Sequence, residues 1–281
     1  MGNREILLSA GTLPLFGLER ASNYAQGVEF DGLEVLPLRQ IVRQVKKAIR
    51  KYGSDWPNYL PGLTNTQSLH QSWRLDSMLE SEHDLNPSIK NRSIRLLFFP
   101  GIDDSREVMA ILSENRQAPV VIHDISSAWT KDSHGQDFAG GLLLEISSHQ
   151  TRKPEEIRNW LEENNHYMVV DTRDDQSIVW ANKHEFKSWQ EYWFWLGLEK
   201  IRSVQLTLIG PEGMNKIINH QETLAEQQLL WLNRQNWQGP ITVEINPLNL
   251  LTATRGRFGR GLLEISAFVR RTLNEGKTWS R

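Results

Sequence analysis

Short apolar runs alternate with amphipathic stretches along nearly the whole chain. Ile6 to Ser9 reads as a first strand, Gly32 to Leu36 as a second and Gln67 to His70 as a short third. Val120 to His123, Gly141 to Ile146, Tyr167 to Asp171, Ser203 to Leu208 and Ile241 to Ile245 extend the series to eight. Helical patterns fall between them. Leu15 to Gly27 is one. Leu38 to Tyr52 is the clearest, with Ile41, Val42, Val45, Ala48 and Ile49 on one face and Arg39, Arg43, Lys46, Lys47 and Arg50 on the other. That basic run reads as a solvated helix face. Asp103-Asp104-Ser105 opens a helix, and Lys153-Pro154-Glu155-Glu156 opens another, with proline and acids in its first turn. Glu185 to Glu199, Thr223 to Asn236 and Gly261 to Leu273 follow. Residues 53 to 117 are the least regular part, and Leu96 to Phe99 fits a strand or a helix start equally.

Strand and helix alternate with no linker and no shift in composition. The pattern predicts an α/β fold, a single (β/α)8 TIM barrel over residues 1–281, irregular between strands three and four. The rival is an open doubly wound sheet, which usually carries a glycine-rich phosphate turn after its first strand. Ser9-Ala10-Gly11-Thr12-Leu13-Pro14 has no such turn. At 281 residues the chain matches the length of a barrel.

Composition narrows the chemistry. The formal net charge is −2, which gives no electrostatic case for nucleic acid and argues against it as a partner. Cysteine is absent, so any metal must take imidazole, carboxylate or amide ligands. No stretch is long and apolar enough for a bilayer span, and the N-terminus lacks the shape of a signal peptide, so a soluble cytoplasmic protein with no membrane partner is expected. The eleven tryptophans are expected in helix–barrel contacts; the Trp189–Trp195 stretch is also compatible with a homo-oligomer contact.

The acidic residues are the most informative. Glu145, Asp171 and Glu244 each stand at or near the C-terminal end of an apolar run, where a buried carboxylate is costly unless something neutralises it. Ligands bind at that end of parallel strands. In a barrel, strands three to eight present His70, His123, Glu145, Asp171, Gln205 and Glu244 to one mouth. His and carboxylate together suit zinc, manganese or iron, while carboxylate and amide oxygens lean toward manganese or magnesium.

The order of these residues resembles the xylose isomerase-like barrel superfamily, which holds sugar and sugar-phosphate isomerases and epimerases and the endonuclease IV type of abasic-site nuclease. Phe30-Asp31-Gly32-Leu33-Glu34 is similar to its early Gly-hydrophobic-Glu phrase, Val121-Ile122-His123 to its fourth-strand His, Leu144-Glu145 to its fifth-strand Glu, and Asp171-Thr172-Arg173-Asp174 to its sixth-strand Asp-x-x-His. Gly239-Pro240-Ile241-Thr242-Val243-Glu244 resembles its closing strand. The likeness spans nearly the whole chain, with residues 53 to 117 matching poorly.

The resemblance implies a divalent metal (Mn, Zn, Mg, Fe or Co) held by Glu145, Asp171, Gln205 and Glu244. It implies Glu145 and Glu244 as the acid/base pair that moves a proton on a small sugar or sugar phosphate. The chain departs from the pattern where Gln205 stands for a His ligand, Leu208 for an acid and Asp174 for a His. These departures leave a degenerate barrel, acting as a binding or interaction module, as the alternative. The nuclease branch is a further alternative, through His70, His123, Glu145 and His220, although Ile218 replaces its late acid. His70, His123, Asp174 and His220 are thus candidates for a second metal or for substrate. Arg255, Arg257 and Arg260, in a glycine-rich loop before the last helix, are candidates for a phosphate.

Overall fold

The computed structural model describes residues 4–60, 62–70, 102–123, 125, 137–146, 152–172, 186–208, 216–217 and 223–275. The strands are β1 (Ile6–Ser9), β2 (Gly32–Val35), β3 (Thr66–His70), β4 (Val120–Ile122), β5 (Leu142–Ile146), β6 (Tyr167–Asp171), β7 (Ile201–Leu208) and β8 (Ile241–Ile245). Each pairs in parallel with the next, and β8 pairs in parallel with β1, so the sheet closes into an eight-stranded barrel. The expected fold class is the observed one.

The helices among the described residues are α1 (Leu18–Gly27), α2 (Arg39–Tyr52), α3 (Ile102–Arg116), α4 (Pro154–Glu163), α5 (Trp189–Leu196), α6 (Leu224–Arg234), α7 (Pro247–Ala253) and α8 (Phe258–Glu275). Local chemistry sets their ends. Ser188 caps α5 by accepting from the Glu191 amide at 3.2 Å, so this helix starts at Trp189, later than the expected Glu185. Gly197, at φ +99°, stops it at Leu196, and Leu198–Lys200 becomes a separate 3-10 turn. Thr223 caps α6 through the Glu226 amide at 3.1 Å. Helix α7 escapes the apolar pattern because it is short; Asn246 caps it, and Pro247 fills its first position.

Alternation along each strand separates two apolar layers. Leu33, Val35, Ile122, Leu144, Val170, Val204, Leu206, Val243 and Ile245 face the helices and join the main core. Val121, Leu143 and Val169 form a small separate cluster. They occupy the opposite faces of β4, β5 and β6 and plug the barrel interior. Burial of such side chains contributes about 1.5–3 kcal/mol each.

The entrances to β4 and β5 are tied together by one tight approach. The Ser113 hydroxyl donates to the Ala118 carbonyl at 3.0 Å and accepts from the Gly140 amide at 3.1 Å. A Cβ on Gly140 would stand 2.0 Å from that same carbonyl oxygen. Gly140→Ala is therefore expected to cost at least about 2 kcal/mol and to lower the melting temperature by roughly 5 °C. An unchanged unfolding curve by circular dichroism would contradict this reading of the β4–β5 entrance.

Candidate active site

The apolar plug fixes what lies above it. Two residues on from Val121, Leu143 and Val169, on the same strand faces, stand His123, Glu145 and Asp171. These three make the next layer toward the C-terminal mouth. Glu145 and Asp171 are almost fully buried, at 2% and 1% exposed. Strand pairing carries the layer around the ring. Asp171 is level with Gln205 on β7, and Thr207 on β7 is level with Glu244 on β8. Ser9 on β1 is level with Glu34 on β2. The expected strand-end residues from β4 to β8 thus share one interior layer system. His70 ends β3. Its side chain, together with Asp174 and His220, lies outside the described residues.

Two pairings organise the described groups. His123 Nδ1 lies 3.7 Å from Glu145 Oε2, with both side chains nearly buried. The Gln205 amide nitrogen donates to Glu244 Oε2. A buried carboxylate set against a donor avoids most of the cost of an isolated charge. Glu244 is the more open of the two acids, and its other oxygen, Oε1, faces the turn after β1. A Cβ on Gly11 would sit 3.4 Å from that oxygen and 3.3 Å from Ser9 Oγ. Glycine there leaves the approach to Glu244 open.

Sequence reasoning gave Glu34 a place in a motif but no role. The structure makes it a third buried acid of the interior, 2% exposed and accepting from Thr242 Oγ1 at 3.4 Å. The signal was available, because Leu33 and Val35 bracket it and must face the helices. Thr12 also belongs to this end of the barrel, accepting from the Ile245 amide at 3.0 Å and pinning the turn after β1 onto β8.

The arginine candidates are more dispersed. Arg255 and Arg257 are exposed in the turn between α7 and α8, where Arg255 and Gly256 both take positive φ. Arg260 pairs with Glu264 one turn along α8, at 2.8 Å. An exposed i,i+4 pair of this kind is worth only a few tenths of a kcal/mol and can be exchanged for another anion.

The donor set is chemically able to hold a divalent cation, but its arrangement does not fit a preformed centre. Among the described residues no three His, Asp or Glu side chains converge to hold a metal ion. Gln205 turns its amide nitrogen, not its oxygen, toward Glu244, and Glu145 is engaged by His123. Three of the four expected ligands, Glu145, Gln205 and Glu244, are thus engaged in internal pairings. A hollow of about 630 Å³ opens at the other end of the barrel, lined by Glu5, Gln67, Arg202, Trp237 and Pro240. Its walls come from the strand starts and the turns before them, with Leu143 of the plug among them, and none of the strand-end candidates lines it.

No family model matches the chain, and no curated protein matches it. Among solved structures the chain is similar to a xylose isomerase domain containing protein from Salmonella typhimurium, at 11% identity, TM-score 0.46 and 99% coverage of both chains. It is also similar to a tryptophan synthase from M. tuberculosis, at 12% identity and TM-score 0.40, covering 95% of this chain and 94% of that one. A tryptophan synthase α-subunit from Pyrococcus furiosus follows at 10% identity and TM-score 0.37, covering 98% of this chain and 99% of that one. The closed ring of strand pairings, not any of these likenesses, defines the fold. No helix among the described residues is long and apolar enough to cross a membrane.

The Gln205–Glu244 pairing makes a pH-dependent prediction. Gln205→Glu places a second carboxylate against Glu244. Two adjacent carboxylates cannot both ionise cheaply, so the pair holds a proton with a pKa raised above its unfolded value. Stability is then lost as pH rises through that raised pKa and regained as pH falls toward the unfolded carboxylate range. The variant is expected to melt roughly 5 °C below the parent at neutral pH, with the gap narrowing near pH ~4. A gap independent of pH would show that the two side chains do not meet.

Proposed function

We propose that this chain is an isomerase- or epimerase-type enzyme that moves a proton between carbons of a small sugar or sugar phosphate. The observation that carries this reading is the interior layer above the plug, where buried carboxylates occupy positions that apolar side chains would fill at less cost. Glu145 on β5 and Glu244 on β8 stand on strands that are not neighbours in the ring, so they flank the lumen from different walls. A substrate with a carbonyl beside a hydroxyl-bearing carbon can lie between them.

The chemistry follows from the two pairings. Glu244 takes the proton from the carbon next to the carbonyl, and the C–H electrons move to form an enediol. The Gln205 amide holds one Glu244 oxygen in place and leaves the other for substrate. Glu145, with His123 behind it, supplies a proton to the carbonyl oxygen or returns one to carbon from the other wall. For an aldose–ketose shift, Glu244 returns the proton to the former carbonyl carbon while Glu145, having protonated the first oxygen, takes the proton of the neighbouring hydroxyl, which becomes the new carbonyl; for an inversion, Glu145 instead protonates the same carbon from the opposite face and the enediolate oxygen re-forms its carbonyl. Asp171 and Glu34 accept hydrogen bonds from substrate hydroxyls. Arg255 and Arg257 would meet a phosphate at the rim. No step is routed through a metal, because among the described residues no three His, Asp or Glu side chains are gathered for one.

A second reading has one observation in its favour. The same internal pairings would serve a barrel that binds a polar small molecule without turning it over, and the Gln205–Glu244 bond suits that role.

One experiment separates the two. The purified protein is incubated in D2O with a panel of aldoses, ketoses and their phosphate esters, and proton NMR follows each C–H beside a carbonyl. Proton transfer predicts loss of one such signal for some member of the panel. Glu145→Gln and Glu244→Gln should each slow that loss by about 10²–10⁴-fold. Binding seen by line broadening, with no exchange on any compound, would favour the second reading and overturn the first.

A further inference from the structure

The strongest feature outside the barrel mouth is the outer face of α2. Its fourteen residues carry Arg39, Arg43, Lys46, Lys47, Arg50 and Lys51 and no acid, in a chain of net charge −2. The apolar side of this helix, Ile41, Val42, Val45 and Ala48, is buried in the core. The cations therefore have one direction left to face. They line a groove of about 670 Å³ that Asp104 of α3 borders.

The cations are not equivalent. Lys46 is held by α3, bonded to Asp104 and 2.7 Å from Glu107, and those two acids raise its pKa. The remaining ones fall in register. Arg39, Arg43, Lys47 and Lys51 repeat every four residues, a rise of about 6 Å per step and about 18 Å in all, with Arg50 beside the last step. At the end of this ladder stands an aromatic pair. Tyr59 lies flat on Tyr52, with ring centroids 4.1 Å apart and planes 10° off parallel. Tyr59 is nevertheless 56% exposed, so its outer ring face is open. Lys51 Nζ sits 4.8 Å from the Tyr52 ring centre.

A ridge of cations winding along a helix toward an open, backed ring is the pairing that single-stranded nucleic acid uses: phosphates follow the charges, and a base stacks on the ring. We infer that the outer face of α2, from Arg39 to Lys51, with Tyr59 at its end, binds single-stranded nucleic acid. An anionic membrane fits less well. The apolar side of α2 is spent on the core, so nothing on this helix can insert among lipid chains. The near-neutral total charge does not oppose the inference, because the patch is local and the acids Asp104 and Glu107 beside it are engaged by Lys46. This surface shares no residue with the acids of the barrel mouth, so its test is independent of the proposed catalysis.

The test is fluorescence anisotropy with labelled oligo-dT and oligo-U strands and the full chain. The probe should bind at low salt. With about four phosphates neutralised, affinity should fall roughly 50-fold between about 50 and about 200 mM salt. The triple variant Arg43→Glu, Lys47→Glu, Arg50→Glu should lose at least about tenfold in affinity and most of the salt dependence. Tyr59→Ala should lose about tenfold while keeping the salt slope of the parent, a split that diffuse charge attraction cannot produce. All changed side chains are at the surface, and matching circular dichroism spectra confirm folding. Absence of binding at low salt overturns the inference. So does equal binding by the parent and the triple variant, or co-sedimentation with phosphatidylserine vesicles without binding to either strand.

Discussion

The constraint on which the rest depends is the alternation of side chains along parallel strands that close on themselves. Once β1 pairs with both β2 and β8, each strand has one face toward the helices and one toward a shared axis. Val121, Leu143 and Val169 fill that axis low in the barrel and exclude water there. The next layer up has the same geometry but opposite chemistry, with His123, Glu145 and Asp171 in corresponding positions. Plug and acids are thus one design. The apolar layer provides the floor, and the carboxylates stand on it at low dielectric, where each hydrogen bond and each nearby charge counts for more.

A layer of this kind is hard to explain by stability. Removing two charges from water is only partly offset by pairing them, and apolar side chains of similar volume often do as well or better. The partners that are present are also specific. An imidazole stands behind Glu145, and an amide holds one oxygen of Glu244. At Gln205 the side-chain amide donates to Glu244, so the β7 residue of this layer meets the β8 acid directly. The amide acts as a clamp on Glu244.

Much of this was legible in the sequence. The eight strands are visible because each is a short apolar run bounded by a turn or a helix cap, and the acids at the ends of β5, β6 and β8 stand out against those runs. Helix α2 was clear because its two faces differ so sharply. Glu34 was less so, since a single acid inside a four-residue strand also fits a solvent-facing position until the barrel is closed. Helix α7 was missed because seven residues carry too little periodicity. The pairing of Gln205 with Glu244 could not be read at all. It depends on the register of β7 against β8, which sets Gln205 level with Thr242 and Thr207 level with Glu244. The stacking of Tyr59 on Tyr52 was also out of reach, because it needs the 3-10 turn Gly53–Tyr59 to fold the chain back on α2.

The central claim is that the interior acids are kept for chemistry and not for stability. Thermal unfolding of a Glu145→Gln, Glu244→Gln double variant beside the parent tests it most directly. Both replacements keep the shape and a hydrogen-bonding oxygen while removing the charge. The account predicts a melting temperature equal to or above that of the parent, because the charges of one buried and one part-buried acid are gone while each replacement keeps an oxygen for its partner. A fall of more than about 5 °C would show that the charges hold the barrel together, and would contradict it.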